Sequence, residues 1–201
     1  MNIADHAALS KWLLRRAEAP LPPGAAIGLF LGSVLPDCNP LTYLAGIPCH
    51  QGLHGHNAEV RGKKIARLLR RAYGRGITGF FAGLRLGIAL HYLADTFTYP
   101  HHAYYPGTLK EHIAYERELH GEMATCLRRT TARPFVRSDA PAEYAAEMLR
   151  FYRRCTPAKE TDCRFIMTVC RVAFDSVAYP RREEVSVHED PHHNGLVSAI
   201  R

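Results

Sequence analysis

Residues 76–99, GITGFFAGLRLGIALHYLADTFTY, form an apolar stretch about long enough to cross a bilayer as a helix. It carries Arg85, His91 and Asp95, each costly in hydrocarbon. The stretch therefore reads as the buried central helix of a protein with no transmembrane segment. It has to end before Pro100, whose ring disfavours helical geometry in the residue ahead of it. One long buried helix needs other helices to cover it, and the remaining sequence is patterned to supply them.

Residues 5–18, DHAALSKWLLRRAE, place apolar side chains at helical spacing, with Asp5 as the expected N-cap, and lead into APLPPG. A short apolar run, AAIGLFLGSVL, follows and is expected to stop at Pro36, opening a loop from Asp37 to about Gly55. NAEVRGKKIARLLRRAY, residues 57–73, predicts a helix whose cationic side reads as a solvated face. Further helices are predicted over residues 109–129, 142–155 and 160–178. With neither strands nor repeats in the pattern, the expected fold is a single all-α, multi-helix domain over residues 1–180. Residues 181–201 read as a loosely held tail whose His188, His192 and His193 take no part in chemistry.

Composition narrows the function classes. The net charge of +7 favours an anionic partner: a phosphate ester, a nucleic acid or a lipid headgroup. Six cysteines without a CxxC pair give no zinc ribbon or thioredoxin motif and read as reduced thiols. The opening MNIADHAALS lacks the features of a secretory signal, so a cytoplasmic location is expected. Of twelve histidines, nine precede position 121, more than a solvated surface requires.

In a helix, residues four apart share a face, so His91 and Asp95 can grip one ion, with His101 or His102 just beyond the helix end. His112 and Glu116 repeat that spacing on the next helix. Imidazole with carboxylate suits zinc and similar divalent metals, and the lack of cysteine in the pattern favours a catalytic over a structural site. One such pair is weak evidence; two on successive helices reinforce each other. His6, Asp37 and a histidine from CHQGLHGHNAE could extend the cluster, although Asp37 after a proline also suits a turn and His6 alone suits a half-buried polar position. Tyr92, Tyr99, Tyr104 and Tyr105 fit core packing better than substrate contact. His120 lies off the ligand face.

The ordered set His6, PD with Asp37, HGHN with His56, HYLAD with His91 and Asp95, PH with His101, and HIAYERELH with His112 and Glu116 resembles the zinc-dependent phospholipase C family. The resemblance spans roughly residues 1–125 and implies an all-helical fold of the type shared with fungal single-strand nucleases. It implies one zinc held by Asp37, His56, His91 and Asp95, and a second held by His101, His112 and Glu116. A third would lie near His6 and share Asp95, giving two or three ions. His54 or His50 competes with His56 for its place, and His102 with His101. Secreted family members complete the third site with the amine and carbonyl of a processed N-terminal tryptophan; here Met1 and Asn2 precede His6, and Trp12 follows it.

Closely spaced divalent ions suit phosphodiester cleavage, since they acidify a water and neutralise phosphoryl oxygens. The expectation is a zinc-dependent phosphoric ester hydrolase of phospholipase C type acting on a phosphate ester such as a phospholipid, with peripheral membrane contact. Asp37 is its candidate for orienting or deprotonating the water. The alternatives are a nuclease or soluble phosphomonoesterase on the same cluster, and a non-catalytic helical binding domain that zinc stabilises. No GxSxG elbow, P-loop or adjacent His-Asp pair occurs.

Overall fold

The computed structural model describes residues 1–38, 58–73, 75–130 and 136–180. They form α1 (Ile3–Arg15), α2 (Pro23–Cys38), α3 (Ala58–Ala72), α4 (Phe80–Thr96), α5 (Leu109–Arg129), α6 (Pro141–Tyr152) and α7 (Lys159–Ala178), with a 3₁₀ turn at Tyr99–His101. No strand occurs among the described residues, so the fold is all-helical as the periodicity predicts. His50, His54 and His56, and the tail with His188, His192 and His193, lie outside them.

α4 is the central helix. Its Leu86, Leu90 and Leu93 are buried, and it lies against α2, α3 and α7, the last contributing Ile166, Val169, Cys170, Ala173 and Phe174. Each such side chain contributes about 1.5–3 kcal/mol on leaving water. Arg85 emerges at the surface, while His91 and Asp95 stay inside. Among the described residues no helix is long and apolar enough to cross a membrane.

Three local expectations are corrected. The apolar run does not stop at Pro36: α2 continues to Cys38 and takes in Asp37. Proline in a final turn forfeits one hydrogen bond, to the carbonyl four residues back, and that residue is Gly32. The cap of α1 is Asn2, whose side chain accepts from the Asp5 backbone N–H, and Asp5 lies inside the helix. α4 begins only at Phe80, because Gly76 has φ +65° and Gly79 is extended; it ends before Pro100 as expected, but at Thr96 rather than Tyr99.

α2 and α4 touch backbone to backbone through glycines. Gly28 faces Phe80 and Leu84, Gly32 faces Leu84 and Ile88, Gly83 faces Ala25, and Gly87 faces Leu29, Gly32 and Ser33. The register advances together on both helices, so they run parallel. Small residues four apart allow this approach, as in close-packed helix pairs generally. The parallel register brings the C-terminal turn of α2 level with the last two turns of α4.

Candidate metal centre

The stripes that build the core also carry the polar ligands. On α1, His6 shares the buried side with Leu9 and Leu13; on α5, His112 and Glu116 continue the line of Leu119 and Met123 beyond the core. On α4, His91 and Asp95 follow Gly87 along the side that meets α2. The parallel register therefore sets Asp37 beside them: His91 Nε2 lies 3.5 Å from Asp37 Oδ1 and 3.4 Å from Asp95 Oδ2. The other ring nitrogen, Nδ1, is 2.8 Å from the Ser33 carbonyl oxygen. A carbonyl only accepts, so Nδ1 holds a proton, and Nε2 is the ring atom turned towards the carboxylates.

His6 stacks on His91 with centroids 3.9 Å apart and brings its Nε2 to 3.2 Å from Asp95 Oδ1. That nitrogen is buried without a hydrogen bond of acceptable geometry, so His6 and Asp95 converge on a shared point more than they bond each other. His6, His91 and Asp95 form one group able to hold an ion; His101, His112 and Glu116 form a second. In the second, His101 Nε2 and His112 Nε2 lie 3.0 and 3.3 Å from Glu116 Oε1. His101 Nδ1 is 3.8 Å from Asp95 Oδ2, which links the groups.

Between the groups stands a group invisible to side-chain pattern reading, the α-ammonium of Met1. It donates to Asp95 Oδ1 at 3.2 Å and Glu116 Oε1 at 2.9 Å, and lies 3.2 Å from His101 Nε2. Burial opposes its charge, but Asp95 and Glu116 outweigh that and raise its pKa from 8.0 to about 11. Burial likewise opposes the charge on Asp95, yet the Met1 ammonium with His101, His6 and His91 holds it well below the usual carboxylate range. Glu116 behaves the same way, held low against burial by His101 and His112. Burial and the nearby ammonium push His101 down to about 4, leaving it neutral and able to act as a ligand.

The cluster fits divalent metal on its own chemistry. α2 and α4 point their C-terminal, negative ends at it, each bearing an aspartate in the last turn and neither a basic residue there. Two anionic helix ends and three carboxylates call for a cation, and the ammonium of Met1 already stands among them in that role. The donor set of nitrogens and oxygens suits zinc.

The remaining sequence-predicted residues divide as follows. His102 turns away, stacking on Tyr104 and Tyr152. His120 pairs through Nδ1 with Asp5 Oδ1 at 2.6 Å, outside both groups. Tyr92 is buried in the core, whereas Tyr104 is exposed. Sequence reasoning missed Asp162 on α7, which is fully buried and accepts from the Tyr99 N–H (3.0 Å), Tyr115 Oη (2.9 Å) and Tyr152 Oη (2.7 Å). These bonds fasten the turn bearing His101 and the α5 segment bearing Glu116 to one carboxylate. Burial raises its pKa to about 6 against those donors. No spacing signal marks it, because its partners come from three separate segments.

Fold and site together define an all-helical protein with two histidine–carboxylate groups, each able to hold a metal ion. A family model described as zinc dependent phospholipase C matches residues 10–177. The chain belongs to the zinc-dependent phospholipase C family. No curated protein and no solved structure compared with it matches.

Proposed function

We propose that the protein is a zinc-dependent phosphodiester hydrolase that cleaves phospholipids on the glycerol side of the phosphate. The observation that carries this reading is the junction of the two ligand groups, His6–His91–Asp95 and His101–His112–Glu116, across the 3.8 Å between Asp95 and His101. Asp37 and His56 complete the proposed ligand set for two or three ions. Zinc bound there would supply a water of lowered pKa and positive charge for the phosphoryl oxygens. Asp37, at the mouth of α2 and partly exposed at 14%, is the candidate to orient that water and accept its proton. Glu116 and the imidazoles keep the ligand geometry fixed.

A phospholipid as substrate is supported by the outer side of α2. Ile27, Leu31 and Leu35 are 56%, 41% and 47% exposed in one helical line that ends two residues before Asp37. Acyl chains can cover such a line while the phosphate enters the site, consistent with peripheral contact with a lipid aggregate.

The test is hydrolysis of short-chain phosphatidylcholine by zinc-loaded protein, followed as release of phosphocholine. The parent should turn over, Asp37→Asn should lose at least 100-fold in kcat, and Glu116→Ala should lose both zinc and activity with its helical circular dichroism retained. A zinc-loaded, folded parent that releases no phosphorylated headgroup from any phospholipid refutes the proposal.

A further inference from the structure

The outer side of the α2–α4 pair is apolar on both helices. Ile27, Leu31 and Leu35 of α2 are exposed in one line. Gly28 and Gly32, each next in sequence to a member of that line, meet Phe80, Leu84 and Ile88 of α4 backbone to backbone. The contact lays the edge of α4 directly beside the α2 line. Phe80 and Phe81 there are 38% and 69% exposed, and Leu84 and Ile88 are half-buried. The two phenyl rings meet edge to face, with centroids 5.4 Å apart. An aromatic pair left in water beside an aliphatic line marks an interaction surface.

The charges around this face have one sign. Arg85 is exposed one turn after Phe81, and Arg75 is exposed in the turn that leads into α4. At the other edge, Lys11 of α1 is exposed with its Nζ 5.4 Å from the centroid of the Phe30 ring on α2. α2 and α4 carry two carboxylates, Asp37 and Asp95, and both belong to the metal centre at the far end of the pair. Phe and Leu flanked by Lys and Arg are the pattern of a helix that lies in the interface of an anionic membrane. A second copy of this chain fits the face less well, because it would bring together two chains of net charge +7.

We propose that this face docks the protein on a bilayer containing anionic lipids, with Phe80 and Phe81 entering the acyl region and Lys11, Arg75 and Arg85 meeting the phosphates. The inference deepens the hydrolase reading above and rests on it for its direction: both helices run from the docked phenylalanines towards the metal centre, so the anchor leads lipid to the site. It adds a hold on the membrane separate from the contacts of the substrate molecule, and a preference for anionic surfaces whichever headgroup is cleaved.

Two measurements test it. In the first, zinc-loaded Asp37→Asn protein, in which turnover is suppressed, is sedimented with vesicles of phosphatidylcholine alone or with one part in four phosphatidylglycerol. Binding should be about 10-fold tighter on the anionic vesicles, and the difference should shrink as salt rises. Phe81→Ala, added to that protein, should weaken binding to both vesicles about 10-fold. Arg85→Gln should weaken binding to the anionic vesicles about 5-fold and leave the neutral ones unchanged. Both side chains are exposed, so the fold should survive either change. In the second, kcat/KM of the parent and of both single variants is measured on dihexanoyl phosphatidylcholine below its micellar concentration. With no surface to dock on, the variants should match the parent there and fall behind it on anionic vesicles. Binding that is equal on the two surfaces, or unmoved by Phe81→Ala, overturns the docking, and cleavage of monomeric lipid by the same protein leaves the hydrolase standing. Binding that responds to both substitutions, in a protein that cleaves no phospholipid, sinks the hydrolase and supports the membrane face. A parent that sediments as a dimer in analytical ultracentrifugation, and that Phe81→Ala turns into a monomer, assigns the face to a second copy and overturns the docking.

Discussion

Replacing Gly87 by alanine should destabilise the protein and loosen its hold on zinc, although alanine is the better helix former. A methyl at Gly87 would run into the Leu29 carbonyl oxygen and stand 2.8 Å from Ser33 N and 2.9 Å from the Gly32 carbonyl carbon, where ordinary contact begins at 3.4 Å. All three are backbone atoms of α2, so no side chain can rotate away, and the helices must part by about 1 Å. Overpacking of this kind costs about 1–3 kcal/mol, against a propensity gain of about 1 kcal/mol. For a chain of this length, each net kcal/mol lowers the melting temperature by about 2–4 °C. The same movement draws the Ser33 carbonyl away from His91 Nδ1, now 2.8 Å apart, and losing such a supporting bond weakens metal affinity by about 10–100-fold. Gly121 on α5, where an added methyl would meet nothing within 4 Å, is the control: Gly121→Ala should raise the melting temperature slightly and leave zinc affinity unchanged. Thermal melts and competition with a chromogenic zinc chelator read both quantities. A Gly87→Ala protein that gains stability as Gly121→Ala does, with parent-like zinc affinity, would refute the claim that α2–α4 contact sets the site.

Other predictions follow from the buried carboxylates. Tyr152→Phe removes one donor from Asp162 and should cost about 1–2 kcal/mol, while Asp162→Ala strands the Tyr99 N–H and two hydroxyls and should cost at least twice as much; equal losses in chemical denaturation would contradict the clamp. Burial raises the Asp175 pKa from 3.8 to about 6 despite Arg171 Nε at 2.5 Å. Its folded pKa exceeds the unfolded one, so the folded state binds the extra proton and stability falls as pH rises from about 4 to about 6, by at most about 3 kcal/mol. The stability difference between parent and Asp175→Asn, measured by urea unfolding, should shift in that window against the parent as pH increases; a difference independent of pH would rule the effect out.

Much of the framework was legible because periodicity is a local property. α3, α5, α6 and α7 lie within a few residues of their predicted spans, and the four-residue spacings of His91–Asp95 and His112–Glu116 place each pair on one side of its helix. α2 was harder: apolar almost all round, it shows no clear polar side, and Pro36 reads as a stop unless its place in the final turn is known. The glycine contacts of α2 and α4 acquire meaning only when two segments about 55 residues apart meet. The Met1 ammonium belongs to no residue-type pattern. Arg61 and Lys64 share their spacing with solvated cations, and only the position of Tyr92 sets them apart.

The central claim is that the two histidine–carboxylate groups hold zinc. Metal content per chain, measured by plasma mass spectrometry on protein purified without a histidine tag and dialysed after zinc loading, tests it most directly. Two or three zinc ions are expected in the parent and fewer than one in a folded His91→Ala, His112→Ala double variant. A folded parent that stays metal-free after zinc is supplied would contradict the claim.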